Sequence, residues 1–336
     1  VRPVSISSGV GSMPGEDLAE ALRTVLGEVP DLPFLPELPA RGATASMTGR
    51  TLALVAELGF DLQPAGWRLT DAPGVDHRRA RSLLAQDLDT LEELTQSSGR
   101  FEQGGELKVQ VAGPWTLAAT VERPRGDRLL ADAGARREVA QALAEGLLEH
   151  LADLGRRVPG ARLLVQVDEP VLPAVLAAKV PTSSGFGRHR SVDLPGASAA
   201  LEPVFAAIHA AGAASAAHCC AAEIPIALLR GAGAQAVSLD LDVLAAESYD
   251  ALGTALDEGG RVLLGVVPAV DPAAVPTDQQ VIDRVLRLLD MLGFDPEEVA
   301  GQIVLTPACG LAGASPGYAR TAHSLVRESA APFGAG

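Results

Sequence analysis

The stretch "RLLVQVDEP" (residues 162–170) joins a continuous apolar run to two adjacent carboxylates at its carboxyl end. Apolar side chains on both faces are typical of a strand that is covered on both sides, as in a parallel sheet. Seven other short apolar runs are similar, and amphipathic patterns such as "DQQVIDRVLRLLDMLG" lie between them. These runs cover residues 4–9, 33–38, 108–113, 213–220, 235–241, 261–267 and 302–310.

Strand–helix alternation repeated eight times predicts an α/β fold, a single (β/α)8 TIM barrel that spans residues 1–336. Two connections are too long for simple crossovers and are interpreted as insertions. One is a hairpin followed by a helix within about 61–105, after the second strand. The other is a Gly/Ser-rich loop within about 171–199, after the fourth strand. A doubly wound open sheet is the alternative, but no GxGxxG follows a strand and no GxxxxGK[ST] occurs.

The net charge of −15 argues against nucleic acid or an anionic membrane as a partner, because both are polyanions. No apolar run reaches the ~18 residues of a membrane span, and the first residues lack the basic-then-apolar order of a secretory signal. Three cysteines cannot all pair within one chain. We therefore expect a protein of the reducing cytoplasm.

Polar residues at the predicted strand ends indicate a site. In a TIM barrel, the carboxyl ends of the strands meet at one mouth, where the active site forms. A carboxylate buried there is costly unless it is paired or bound to a cation. The rim is therefore interpreted as a ligand and metal site. Its side chains are Ser12, Glu37, Asp168, Glu169, His218, Cys220, Asp240 and Cys309.

The spacing of the histidine and cysteines favours a metal. His218 and Cys220 are two residues apart on a predicted strand, so both side chains point to the same face. Cys219 then faces the opposite side as a small buried residue. Asp240 and Cys309 end two other predicted strands. Two thiolates, an imidazole and a carboxylate suit tetrahedral Zn²⁺.

Structural explanations exist for each of these residues. Free cysteines are among the most buried residue types, and a single histidine such as His218 is often a hydrogen-bonded core residue. Asp240 or its neighbour Asp242 could cap the following helix. Asp168 could cap a turn before Pro170. Composition alone does not decide between these explanations and a metal site.

Six motifs occur in the order of a known family, and together they extend over nearly the whole chain. They are "GVGSMP" (9–14), "VAGPWTL" (111–117), "VQVDEPVL" (165–172), "HCC" (218–220), "AVSLDL" (236–241) and "PACGL" (307–311). The chain thereby resembles the C-terminal catalytic barrel of cobalamin-independent methionine synthase, in the larger group that includes uroporphyrinogen decarboxylases. It is similar to the short, core-only form of that family.

The resemblance implies zinc-dependent transfer of a methyl group to the sulfur of homocysteine, which gives methionine. His218, Cys220 and Cys309 match the zinc ligands of the family. Asp240 stands where the long enzymes have a glutamate ligand. Zinc coordination would remove the thiol proton of the substrate, whose pKa is otherwise ~8.5.

The resemblance also implies how the amino acid is held. Ser12 matches a position near its carboxylate, and Glu37 and Asp168 match positions near its ammonium group. Asp168 is also the predicted catalytic residue. The segment around Glu37, "FLPELPARG", resembles that of the family only loosely.

Two departures from the family fall on the side of the methyl donor. The long enzymes place a tryptophan against the folate ring a few residues after the Gly-Pro, near Thr120, whereas Trp115 directly follows Pro114. The family histidine after the seventh strand is missing from "VVPAVD" (266–271). We therefore hypothesise a donor other than methyltetrahydrofolate, such as a methylated corrinoid, with a corrinoid or methyl-carrier protein as a possible partner.

Two other functions remain open from the sequence. A uroporphyrinogen decarboxylase-like barrel needs no metal and uses arginines near the first strand, but "GVGSMPGEDL" (9–18) contains none. That function would also leave the histidine and cysteines at the strand ends unexplained. A non-catalytic barrel that binds a metal or an amino acid is the other alternative.

Overall fold

The computed structural model describes residues 5–330, which form nine strands and twelve α-helices. The strands are β1 (Ile6–Ser7), β2 (Gly59–Gln63), β3 (Gly66–Thr70), β4 (Gly105–Ala112), β5 (Ala161–Asp168), β6 (Ala214–Cys219), β7 (Ala236–Asp240), β8 (Arg261–Val267) and β9 (Ile303–Pro307). The helices are α1 (Leu18–Glu28), α2 (Met47–Leu52), α3 (Val75–Ser97), α4 (Pro114–Thr120), α5 (Ala133–Arg157), α6 (Leu172–Leu176), α7 (Leu194–Ala210), α8 (Ile226–Gly231), α9 (Tyr249–Asp257), α10 (Asp278–Leu292), α11 (Pro296–Val299) and α12 (Pro316–Ala330).

Within this described part, seven strands form one parallel sheet in the order β1-β9-β8-β7-β6-β5-β4. The predicted α/β fold with a parallel sheet is therefore confirmed. Seven of the eight predicted runs overlap one of these strands; residue 4 of the first run lies outside the described residues. The sheet places the first strand of the chain beside the last.

The second predicted run is not a continuous strand. Residues 33–38, all of them described, contribute only two isolated parallel bridges, from Phe34 to Lys108 and from Glu37 to Ser12. Pro33 and Pro36 explain the interruption, because proline has no N–H to donate to a ladder. The expected eighth strand is wrong in this form, although the segment contacts both edges of the sheet.

The two long connections contain local structure. After the second run, β2 and β3 pair as an antiparallel hairpin, with Gly59 opposite Thr70, and α3 follows. This agrees with the hairpin and helix predicted there. After β5, the chain forms α6 and then an irregular segment with one antiparallel bridge, from Pro181 to Arg188, before α7 begins.

The five strands β5 to β9 contribute to two separate cores, as continuous apolar runs predict. Side chains such as Val165 and Val237 pack with the helices in the large core. The alternate side chains form a small cluster without helical residues. It contains Leu32, Leu164, Ala216, Ala236, Leu263 and Val304.

The inner face that carries this small cluster becomes polar towards the carboxyl ends of the strands. Because side chains alternate along a strand, Gln166 and Asp168 follow Leu164 on this face, and His218 follows Ala216. The sheet thus positions the candidate site at its carboxyl edge. Among residues 5–330, no helix combines the length and apolar character that crossing a bilayer requires.

Candidate functional site

The structure brings three predicted metal ligands together at the carboxyl edge of the sheet. One ligand atom from each of His218, Cys220 and Cys309 lies within 4.8 Å of the other two. The two Sγ atoms are 3.3 Å apart, although 89 positions separate the cysteines in the chain. His218 is buried and both cysteines are half-buried. Such a donor set can hold a divalent metal.

Local hydrogen bonds prepare these side chains. His218 Nδ1 lies 2.9 Å from Ser238 Oγ on the neighbouring strand β7, which leaves Nε2 available to a metal. The hydrogen bond from Cys309 lowers the pKa of Cys220, whereas the same bond and then burial raise the pKa of Cys309. Cys220 is therefore the more acidic thiol of the pair.

Cys219 lies on the opposite face of the sheet, as the strand alternation predicts. It is 1% exposed and packs in the core between the sheet and the helices. Burial raises the pKa of its thiol to about 12, so it is a neutral core residue at physiological pH.

Asp240 lies at the end of β7 but is not in the group of ligand atoms within 4.8 Å that the described residues form. Its Oδ1 accepts a hydrogen bond from the backbone N–H of Asp242 at 2.8 Å. Asp242 in turn pairs with Arg284. This local turn holds the Asp240 carboxylate, and burial raises its pKa. Its assignment as a metal ligand stays a prediction.

The predicted substrate-binding acids lie beside the metal ligands. Asp168 ends β5 and pairs in register with His218. Burial raises the pKa of Asp168, an effect that the charge of His218 partly offsets. Burial also raises the pKa of Glu37 to about 7, although Arg50 lowers it. The closest approach of these two side chains, from Arg50 Nε to Glu37 Oε1, is 3.8 Å.

Ser12 lies next to both the predicted metal ligands and the predicted substrate-binding acids. It forms the parallel bridge with Glu37, and its carbonyl accepts the N–H of Leu311 at 2.8 Å. A Cβ added to Gly310 would lie 2.1 Å from Ser12 Oγ, so only glycine fits next to Cys309 here. The segments around Ser12, Glu37 and Cys309 therefore meet at one place.

Lys108 is a site residue that our sequence analysis missed. It is fully buried on β4, and its Nζ donates to Val10 O at 2.7 Å and to Gln166 Oε1 at 3.0 Å. Burial lowers its pKa to about 8, whereas Asp168 and Glu37 act in the opposite direction. The signal was present in "KVQVAG", where Lys108 and Gln110 alternate with valines on one face.

The second carboxylate of "VDEP" has a structural role. Glu169 is fully buried, and its oxygens accept the backbone N–H groups of Trp115 at 2.9 Å and Thr116 at 2.8 Å. The hydroxyl of Thr116 adds a bond of 2.7 Å. Glu169 thus fixes the start of α4, and burial raises its pKa to about 7.

Residues on the predicted donor side are occupied elsewhere. Trp115 is 2% exposed, its Nε1 donates to Ala197 O on α7 at 3.0 Å, and Arg136 lies over its ring at 5.8 Å. In the segment 266–271, Asp271 accepts hydrogen bonds from the backbone and hydroxyl of Ser315. The Trp115 ring is therefore directed into the protein, whereas Asp271 is engaged by Ser315 at the surface.

Comparison with known proteins agrees with this geometry. The family described as "Cobalamin-independent synthase, Catalytic domain" matches residues 98–331. The chain belongs to the cobalamin-independent methionine synthase family. It is thus a methionine synthase-like catalytic domain, and its three clustered ligands are a possible metal site of that family's kind.

One solved structure shows the fold, and a second is less similar. A B12-independent methionine synthase from Shewanella sp. W3-18-1, in complex with selenomethionine, has a TM-score of 0.59 at 14% identity, with 97% of each chain covered. The 3-keto-D-glucoside 4-epimerase YcjR from E. coli has a TM-score of 0.42 at 13% identity, over 73% of this chain and 86% of that one. No curated protein matches the sequence significantly.

Proposed function

We propose that this chain is a zinc-dependent methyltransferase that methylates the thiol of homocysteine to form methionine. The observation that carries the proposal is the meeting of His218, Cys220 and Cys309 beside a buried pair of carboxylates. Membership of the methionine synthase family supports the reaction class. The structurally similar B12-independent methionine synthase was solved in complex with selenomethionine, which supports an amino acid of this size as ligand.

The donor set fits zinc. Zn–S bonds of ~2.3 Å in a tetrahedron require sulfurs ~3.8 Å apart, so the observed 3.3 Å must widen by only about half an ångström. His218 offers a free Nε2, and Asp240 could join as a fourth ligand after leaving its turn. Zn²⁺ held there would supply Lewis acidity, which lowers the pKa of a substrate thiol from ~8.5 and makes it a nucleophile at neutral pH.

The protein residues orient the substrate around this centre. Asp168 and Glu37 receive its ammonium group, and Ser12 receives its carboxylate. We assign Asp168 as a catalytic residue because it would contact the substrate next to His218, its partner in register. This orientation directs the substrate sulfur towards Cys220 and Cys309, which would hold the zinc at which the sulfur accepts the methyl group.

We further propose that the sheet closes into a TIM barrel. Phe34 bridges to β4 and Glu37 bridges to the segment after β1, so residues 33–38 lie where the missing eighth strand would be. In such a barrel, the connections within about 61–105 and 171–199 are insertions after the second and fourth strands.

The methyl donor is proposed not to be methyltetrahydrofolate. Trp115, the aromatic residue nearest in sequence to the folate-stacking position, has its ring engaged by α7 and Arg136. The segment 266–271 contains no histidine to deliver a proton to a departing folate. A methylated corrinoid, free or carried by a protein, is the proposed donor.

The test is methionine formation by the purified zinc-loaded protein from homocysteine and either methylcobalamin or methyltetrahydrofolate. We expect methionine from methylcobalamin only. Turnover with methyltetrahydrofolate would refute the proposed donor. Bound zinc and methionine without turnover from any donor would instead favour a non-catalytic binding barrel, and decarboxylation of a porphyrinogen without metal would favour the other alternative.

A further inference from the structure

Two glutamines face each other in register on β4 and β5, but only one is fully hydrogen-bonded. Gln166 Oε1 accepts from Lys108, and its Nε2 donates to Val10 O at 2.9 Å and to Asp168 Oδ1 at 2.8 Å. Gln110 Nε2 donates to Leu35 O at 2.6 Å, whereas its Oε1 has no partner among residues 5–330. Both side chains are buried, with Gln110 8% exposed.

The orientation of the Gln110 amide follows from its hydrogen bond to Leu35. A carbonyl can only accept, so the NH₂ group must face Leu35 O, and Oε1 must face away from it. The side chain also packs against Gly11, where an added Cβ would lie 2.9 Å from Gln110 Cδ. A buried acceptor held without a donor is costly, which indicates that a ligand supplies the donor.

Two further hydrogen-bond acceptors lie near the Gln110 side chain. Glu37 Oε1 is buried and accepts no hydrogen bond from the described residues. The charge of Asp168 raises the pKa of Glu37 and a hydrogen bond from the Gln110 side chain lowers it, so the three side chains lie close together while Glu37 Oε1 keeps no partner. Asp168 uses Oδ1 to accept from Gln166, while no described residue donates to its Oδ2.

We propose that Gln110 is a specificity-determining residue, which accepts one N–H of the substrate's ammonium while Glu37 and Asp168 accept the other two. This inference rests on the proposed function and makes that function more specific, because it defines the substrate as a primary amine. A primary ammonium has three N–H donors, one for each free acceptor. An N-methylated amino acid has two donors and would leave one buried acceptor unpaired.

The neighbouring glutamine provides a matched control. Gln166 lies in the same register as Gln110 but has no free acceptor, so its replacement disturbs the shape of the site without removing an ammonium ligand. Gln110→Met and Gln166→Met each replace a glutamine by an unbranched apolar residue. Gln110→Asn keeps the amide but withdraws its oxygen by one methylene.

The experiment is calorimetric titration of the zinc-loaded protein and these variants with L-methionine and N-methyl-L-methionine. We expect the parent protein to prefer L-methionine by at least about tenfold, the usual contribution of one hydrogen bond to a charged group. Gln110→Met should remove this preference and Gln110→Asn should reduce it. Gln166→Met should weaken both ligands by the same factor.

A parent-like preference in folded Gln110→Met or Gln110→Asn would overturn the role of Gln110 and leave the proposed function intact. The same loss of preference in Gln166→Met would also overturn it, because the effect would then be one of shape. If the parent protein binds neither amino acid, this inference and the proposed function both fail.

Discussion

The two sides of the candidate site are built in different ways. The sulfur side, defined as His218, Cys220 and Cys309, is held by few side-chain contacts: His218 to Ser238, and Cys309 to Cys220 and His218. The carboxylate side, defined as Glu37, Gln110 and Asp168, lies against a buried network. Lys108 and Gln166 both donate to Val10 O, and Gln166 also donates to Asp168.

This difference shows which side depends on an added ion. The network fixes the carboxylate side before any ligand binds, because Lys108 and Gln166 beneath it are already hydrogen-bonded. The sulfur side has two thiols that are hydrogen-bonded to each other and an imidazole whose Nδ1 is bonded to Ser238. In the proposed centre, a cation that joins the three ligands would make this side rigid.

The largest expected effect is on the sulfur side. Cys309→Ser should lower both zinc affinity and methyl transfer by more than about 100-fold, because a direct ligand contributes more than the 10–100-fold of an outer-shell partner. Chelator competition and methionine formation measure the two effects. Cys219→Ala is the control, since Cys219 faces the helices and should leave zinc affinity unchanged. Parent-like zinc affinity in Cys309→Ser would show that the ligand set is wrong.

A second prediction removes the buried lysine beside the carboxylate side. Lys108→Met leaves Glu37 and Asp168 buried with one positive neighbour fewer, so the free energy of unfolding should fall by about 3 kcal/mol or more. Urea unfolding at a pH of about 7.5, between the pKa of Glu37 and that of Lys108, measures this. The sequence contains only one other lysine, Lys179, which is exposed and lies 3.5 Å from Glu223.

Lys179→Met is therefore a matched control and should cost less than about 1 kcal/mol. Equal losses in the two variants would contradict a special role for Lys108. A loss of zinc binding in folded Lys108→Met would contradict the independence of the two sides.

A third prediction tests the hydrogen bond that supports the imidazole from the neighbouring strand. Ser238→Ala removes the hydroxyl that bonds to His218 Nδ1, which should weaken zinc binding by about 10–100-fold. Ser215 forms an equivalent pair with His209 Nε2, at 2.9 Å, near the other end of β6. Ser215→Ala should leave zinc affinity unchanged. Equal effects of the two substitutions would indicate a change in packing instead.

The smallest expected effect is on the pH dependence of stability, through His323 near the carboxylate side. His323 packs on Phe34, and neither ring nitrogen has a partner among the described residues. Burial, and then the charge of Lys108, lower its pKa to about 4. The unfolded chain binds a proton at His323 near pH 6.5, whereas the folded chain does so only near pH 4. The folded state therefore keeps its full stability above ~6.5 and loses stability as the pH falls towards 4.

His323→Leu should therefore lose less unfolding free energy than the parent between pH 7 and pH 5, by about 2 kcal/mol. Urea unfolding at the two pH values gives this difference. An identical pH dependence of the two proteins would show that His323 is not held neutral in the folded state.

Much of the sulfur side was predictable from the sequence. Two-residue alternation places His218 and Cys220 on one face and Cys219 on the other, and the parallel sheet brings Cys309 to the same edge. Asp240 was less predictable, because the turn with Asp242 sets the position of its carboxylate.

The carboxylate side was harder to predict because its key contacts depend on side-chain packing between distant segments. Lys108 looked like an ordinary strand residue, yet it donates to Val10 O, 98 positions away. The prediction of a continuous eighth strand was wrong because Pro33 and Pro36 remove two N–H donors from its hydrogen-bond ladder. The resemblance supplied Glu37 and Asp168 but gave no indication of Gln110.

X-ray absorption at the zinc edge of the purified protein tests the central claim most directly, because it counts the ligands around the metal. The proposed centre predicts one zinc per chain with two sulfurs at ~2.3 Å and at least one nitrogen at ~2.0 Å. A zinc environment with fewer than two sulfurs, or a protein that retains no zinc, would contradict it.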